Sequence, residues 1–242
     1  MIKLGSRFND YPLMKTIILT LSLSLPMAVS GTAGDKLIKP IDSKAPIVDA
    51  KAPVGPAAPC LSYDYIDLDY QWFDSPGVGL EGGDGYALSF SKTLGELFFL
   101  TGGYTNASAG YLFNNDFYDL ESHRYNLGLG ARFSLSECVD LTIEGGATHQ
   151  DNRYGNNPDF SYDSWGYYVG PGLRARAGRF EGFAKVFYVD RGGVPAQLGF
   201  DDEGWVFNPG LLYHLNDRLA LKLAADLAEN RSQITFGARI NF

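Results

Sequence analysis

The stretch that decides the fold is the last one, Ser232-Gln233-Ile234-Thr235-Phe236-Gly237-Ala238-Arg239-Ile240-Asn241-Phe242. Ile234, Phe236, Ala238, Ile240 and Phe242 occupy alternate positions, with Thr235, Gly237, Arg239 and Asn241 between them. A period of two places the two sets on opposite faces of an extended strand. One face suits hydrocarbon and the other suits water.

The same alternation runs backwards through the chain. In 218–228, Leu219, Leu221, Leu223, Ala225 and Leu227 oppose Ala220, Lys222, Ala224 and Asp226. In 138–149, Val139, Leu141, Ile143, Gly145 and Ala147 oppose Asp140, Thr142, Glu144, Gly146 and Thr148. In 122–134, Tyr125, Leu127, Leu129, Ala131 and Phe133 oppose Arg124, Asn126, Gly128, Gly130 and Arg132. Ten such segments are expected: 61–73, 84–93, 96–106, 122–134, 138–149, 164–177, 179–190, 204–215, 218–228 and 232–242. Tight links (94–95, 135–137, 178, 216–217) alternate with long ones rich in Gly, Asn, Asp and Tyr (74–83, 107–121, 150–163, 191–203); link 229–231 is short. Short turns at one end and long loops at the other describe an up-and-down antiparallel transmembrane β-barrel of ten strands, with eight as the alternative.

A soluble barrel alternates too, with its apolar face inside. Three features favour the membrane form. The polar face interleaves its charges with glycine, as a crowded interior requires and a water-facing surface does not. Tyr70, Trp72, Tyr104, Tyr125, Phe133, Trp165, Trp205, Phe207 and Tyr213 lie near strand ends, where interfacial girdles form. The long loops share one side.

Composition agrees. The chain has 29 Gly, 16 Phe, 15 Tyr and 3 Trp, a formal charge of −8, and 2 Cys. The acidic balance argues against nucleic acid as a partner, since that affinity comes from Lys and Arg on phosphates. Two cysteines make neither a disulfide framework nor a four-thiolate zinc site.

Residues 1–33 read as a signal peptide, with Met14 as an alternative start. Met14 and Lys15 precede an apolar run over 16–29 and a small-residue exit, Ser30-Gly31-Thr32-Ala33. Residues 34–60 hold five of the 12 prolines among Lys, Asp and Ala and read as an extended periplasmic linker. Residues 61–242 form the barrel.

The terminal strand with Ile234, Phe236, Ala238, Ile240 and Phe242 resembles the C-terminal signature of bacterial outer-membrane β-barrel proteins, which the barrel-assembly machinery recognises. In organisation, 61–242 resembles the small OmpA-type and opacity-like barrels and porin-like barrels. The resemblance implies the outer membrane of a Gram-negative cell, contact with its lipid and lipopolysaccharide, and the assembly machinery as partner.

The alternation sends Asp67, Asp69, Asp140, Glu144 and Asp226 inward, against Arg124, Arg132, Arg174, Arg176, Lys222 and Arg239. Glu181 and Lys185 join them with less support, because Phe183 and Phe187 share their parity. Charges so confined must pair. The expected function is therefore a structural or surface-interaction barrel with a largely filled lumen. The alternative is a narrow porin-like channel for ions or small solutes, and a rim enzyme ranks last.

No catalytic, cofactor or metal residue is assigned. His123 and His149 stand at the outer ends of adjacent strands near Asp119, Glu121 and Asp151, but the Asp-x-His and His-x-Ser patterns of outer-membrane proteases and deacylases are absent. His214, near a tight turn, reads as structural. The loop acids (Asp116, Asp119; Asp151, Asp159, Asp163; Asp201, Asp202, Glu203) follow no calcium-loop spacing. Loops 107–121 and 150–163 mix these acids with Tyr, Phe, Trp and Asn, which suits contact with an extracellular ligand. Cys60 and Cys138 both fall at the periplasmic rim, where an oxidising compartment permits a disulfide between linker and turn.

Overall fold

The computed structural model describes residues 60–74, 80–113, 116–155, 161–192, 203–229 and 231–242, and the structural statements that follow concern these. The expected signal peptide, 1–33, and residues 34–59 of the expected linker lie outside them.

Ten strands form one closed barrel: β1 (Tyr65–Asp74), β2 (Leu80–Leu94), β3 (Phe98–Phe113), β4 (Asp116–Ser136), β5 (Val139–Tyr154), β6 (Tyr162–Ala177), β7 (Phe180–Asp190), β8 (Glu203–His214), β9 (Leu219–Ala228) and β10 (Arg231–Asn241). Each strand pairs antiparallel with its sequence neighbours, and β1 pairs with β10 from Tyr65 opposite Asn241 to Asp74 opposite Ser232. The quoted terminal stretch thus supplies the closing strand. Even the shortest strands, β1 and β9, have 10 residues, the length a tilted strand needs to cross a bilayer.

The tight turns have local causes. Gly95 and Gly178 adopt φ of +82° and +62°, a backbone that L side chains rarely accept. Between β8 and β9, the Asn216 Oδ1 accepts hydrogen bonds from the Arg218 and Leu219 N–H groups at 2.9 Å, a side-chain-closed turn.

The faces fall as the alternation requires. Leu68, Trp72, Leu127, Ile143, Leu223 and Phe236 are exposed on the outside; Asp67, Thr142, Glu181 and Arg239 are buried within. The weak alternation of β7 has a physical reason, because aromatic rings fill the lumen there. Phe183 lies over Gly210, directly opposite in the β7–β8 register, and a Cβ on that glycine would sit 2.1 Å from its ring. Phe187 meets Tyr168 edge-on at 5.5 Å.

Two expectations need correction. Residues 107–113 and 116–121 are strand rather than loop. β3 runs to Phe113 and β4 begins at Asp116, in continuous register from Ser108 opposite Glu121 to Phe113 opposite Asp116. Gly, Asn and Asp made this stretch read as a loop. The cross-strand ladder between β3 and β4, with Tyr, Leu and Phe as strand formers, extends both strands instead. The 150–163 loop shrinks likewise, with β5 reaching Tyr154 and β6 starting at Tyr162. The second correction concerns residues 61–64, which precede β1 rather than belonging to it. Leu61 and Tyr63 are 3% and 2% exposed and cluster with Phe99. They alternate like a strand because one side of an extended segment is buried, without any ladder.

Candidate functional site

The lumen divides into two halves of different chemistry. The tight-turn half is an ion-pair cluster. Arg239 grips Asp67 with two donors, Nε to Oδ1 at 2.7 Å and Nη2 to Oδ2 at 2.9 Å. The Lys222 ammonium bridges Asp67 and Asp69 at 2.8 and 2.7 Å. Glu181 accepts from Arg174 at 2.5 Å, pairs with the His214 ring at 3.0 Å, and has Arg239 at 3.6 Å. Lys185 reaches Glu144 at 2.8 Å. The Arg239 guanidinium also lies 3.6 Å above the Tyr65 ring. Such pairs survive burial because opposite charges lie within hydrogen-bond distance of each other, although Asp69 Oδ1, Arg174 Nη1 and His214 Nδ1 are buried with no hydrogen-bond partner among the described residues.

The segment Cys60–Asp64, just ahead of β1, is packed beneath this cluster. Its carbonyls accept from two lumen arginines, Ser62 from Arg174 and Cys60 from Arg176, each at 3.1 Å. The Tyr63 ring packs 4.7 Å from Phe99 and lies under Arg174, 4.4 Å away. Phe99 in turn covers Gly130, where a Cβ would come within 2.2 Å of the ring. Asp64 takes the Thr93 N–H at 2.6 Å and the Lys92 ammonium at 3.1 Å. Burial pushes the Asp64 carboxyl up, but the Thr93 N–H and Lys92 outweigh it and hold the group below its ordinary value. Cys60 is disulfide-bonded to Cys138, 78 residues away, with a Cα–Cα distance of 5.1 Å. The linker residue, not β1, brings the sulfurs together.

The sequence-derived charges therefore separate into groups. Asp67, Asp69, Glu144, Glu181, Arg174, Lys185, Lys222 and Arg239 join the cluster. Arg132 instead donates Nε to the Glu96 carbonyl at 2.8 Å, and Arg176 serves the Gly178 and Cys60 carbonyls. Asp140 is buried opposite Arg174 in the β5–β6 register. Asp226 accepts from Asn208 Nδ2 at 2.5 Å. Arg124 stands apart, in the loop-side half.

That half is a cavity of about 510 Å³, lined among others by Arg124, Arg191, Arg231, Asn152 and Gln233. A second space of about 310 Å³ continues it into the cluster, sharing Gln71, Arg124 and Gln233 and lined also by Asp67, Glu144, Arg174, Lys222 and Arg239. Arg231 and Arg191 escaped the sequence reading because they fell in assigned links. His214 was placed near a turn, and the inward parity of β8 was its only further signal.

On the outside, Tyr104, Tyr125, His149 and Trp165 form a row across β3 to β6, in register and with ring centroids 5.1, 6.2 and 4.7 Å apart. His123 meets the Tyr104 hydroxyl at 2.9 Å and Glu121 at 3.6 Å; His149 has Asp163 at 3.7 Å. Trp72, Tyr125, Trp165 and Trp205 are exposed toward the loop end, and Phe98, Phe133, Phe180 and Phe242 toward the turn end. Between these bands the exposed face is apolar, with Leu68, Leu88, Leu127, Ile143, Leu223 and Phe236, as girdles flanking an apolar belt require. Ile234, Phe236, Ile240 and Phe242 belong to this outer face, with Ala238 between Leu68 and Leu221 in register. Among the described residues no cluster of His, Cys, Asp and Glu is suited to a metal.

No family model matches the sequence, and no curated protein does. Solved barrels are similar. The KdgM porin in complex with disordered oligogalacturonate is 12% identical, with a TM-score of 0.43 over 73% of this chain and 99% of that one. The NanC porin is 10% identical, with a TM-score of 0.45 over 72% and 100%. The outer membrane protein OprG from Pseudomonas aeruginosa is 11% identical, with a TM-score of 0.42 over 74% and 94%.

Proposed function

We propose that this chain is an integral outer-membrane β-barrel whose lumen is a blind vestibule, open toward the loops and shut toward the tight turns, with a surface-side or structural role. The observation that carries this is the packed base of the turn-side half. β1 to β10 contribute Asp67, Ser91, Phe99, Gly130, Thr142, Arg174, Glu181, Leu212, Ala220 and Arg239, all buried, and Leu61 and Tyr63 are buried at its base. Interior charges matched in pairs close a narrow barrel rather than line a channel. An outer face of exposed Leu, Ile, Phe and Trp is costly in water and favourable in lipid. Lipid, lipopolysaccharide, and the assembly machinery acting through β10 are the surroundings this reading requires.

Two measurements test it. The outer-membrane fraction should give a band whose electrophoretic mobility changes on boiling. Purified protein in a planar bilayer should show no stable, large conductance; steady open-channel currents would overturn the blind lumen.

A second reading rests on one feature. The base is closed by a tethered chain segment, not by a strand, and a tether can be released. A narrow channel regulated by that segment would conduct when Cys60→Ser frees it.

A further inference from the structure

The two halves of the lumen differ in how completely their charges are matched. In the turn-side half each of Arg174, Lys185, Lys222 and Arg239 has a carboxylate within 3 Å. In the loop-side cavity, Arg124 and Arg231 have no carboxylate of a described residue within 4 Å. Among the described residues, the charges that bear on Arg124 are two further arginines, Arg231 and Arg191, and the opposing Asp226. Asp226 is engaged by Asn208 at 2.5 Å, and Glu203, on the same wall, accepts the Tyr188 hydroxyl. Glu229 on the rim is exposed.

The neutral polar groups lean the same way. Asn152 is 2% exposed and lines this cavity; its Oδ1 accepts from Gln150 Nε2 at 2.9 Å, while its Nδ2 donor has no partner among the described residues. A buried amide donor without an acceptor costs about 1–3 kcal/mol. Two neighbouring arginines repel. The remaining wall is apolar, including Phe73, Ala109, Leu120 and Leu227. Donor excess, unmatched positive charge and apolar wall meet in one space of about 510 Å³, within the range of small-ligand sites.

We propose that this vestibule binds a small organic acid, its carboxylate held between Arg124 and Arg231 with Asn152 as a further donor, and its carbon frame against the apolar wall. A guanidinium fork matches a carboxylate in shape and charge, and the ligand supplies the carboxylate that Arg124 and Arg231 do not meet among the described residues. The inference rests on the blind, loop-open lumen proposed above.

The test is calorimetric titration of the full-length purified protein in detergent micelles with succinate, its neutral diamide succinamide, and inorganic phosphate. Succinate binds, and succinamide binds at least tenfold more weakly. Phosphate, which has the charge but no carbon frame, also binds at least tenfold more weakly. Arg124→Gln and Arg231→Gln each weaken succinate at least tenfold. Both variants keep the heat-dependent gel shift, because removing one of two repelling charges relieves the fold. Arg124→Lys, which keeps charge and loses the fork, falls between. Equal binding of succinate and succinamide overturns the proposal, and so does unchanged succinate affinity in both glutamine variants. Equal affinity for phosphate overturns the assignment to an organic acid. Failure of the blind lumen is read separately, as open conductance in a planar bilayer. A closed barrel that ignores succinate sinks the site alone.

Discussion

Asp69 and Lys222 meet across an intervening strand, their Oδ2 and Nζ atoms 2.7 Å apart, over a glycine. Gly237 of β10 stands in register between them, opposite Asp69 on one side and Lys222 on the other. A Cβ on Gly237 would lie 2.1 Å from Asp69 Oδ1 and 2.4 Å from the Leu68 carbonyl oxygen. The glycine opens the space through which β1 and β9 pair their charges, a contact that a two-strand ladder cannot make.

Gly237→Val should therefore push Asp69 away from Lys222 and destabilise the barrel by about 3–5 kcal/mol, the cost of breaking a buried pair. Urea unfolding in lipid vesicles measures it. Gly182→Ala is the control, since a Cβ there meets nothing within 4 Å. Equal losses at the two glycines would sink the explanation.

Glu181 is shared by Arg174, His214 and Arg239. Glu181→Leu strands the buried Arg174 guanidinium, while Arg239 keeps Asp67, and should cost about 3–5 kcal/mol. Removing the main partner too, in Glu181→Leu with Arg174→Met, should cost less than the single change, because an apolar pair needs no counter-charge. The unfolding midpoints of the two variants decide it.

The disulfide closes a segment of 78 residues' separation, and its removal by Cys60→Ser should lower stability by up to about 4 kcal/mol. The same variant should raise single-channel activity if the Leu61–Tyr63 segment leaves its seat. Unchanged, silent bilayers would mean that Phe99, Arg174 and Arg176 hold the segment without the covalent tie.

Asp64 gives a pH dependence. Its folded pKa lies below the ordinary value, so its ties to Thr93 and Lys92 stabilise the fold above about pH 4. They are lost as pH falls through the lower, folded value. The Thr93 amide proton resonance should report this titration with a midpoint below about 4, and Asp64→Asn should abolish it. A midpoint at or above the ordinary value would contradict the geometry.

Alternation read from residues such as Leu127, Ile143, Leu223 and Phe236 determined the strands, their faces and the barrel by itself. A period of two is local, and in lipid the apolar side has only one direction to point. Glycine on the polar face likewise announced a crowded interior, and Phe99 over Gly130 with Phe183 over Gly210 shows why. The hairpin through 107–121 was hidden, because Gly, Asn and Asp lower strand propensity while the cross-strand ladder that overrides it is not local.

Only the tertiary structure decided which charge met which. Asp67, Lys222 and Arg239 come from opposite ends of the chain, and barrel closure makes them neighbours. It also seated Leu61 and Tyr63 in the base and divided the lumen into a matched half and an arginine-rich half. Pairing depends on register, on strand closure and on the space left by glycine, and these are properties of the closed sheet rather than of any one strand.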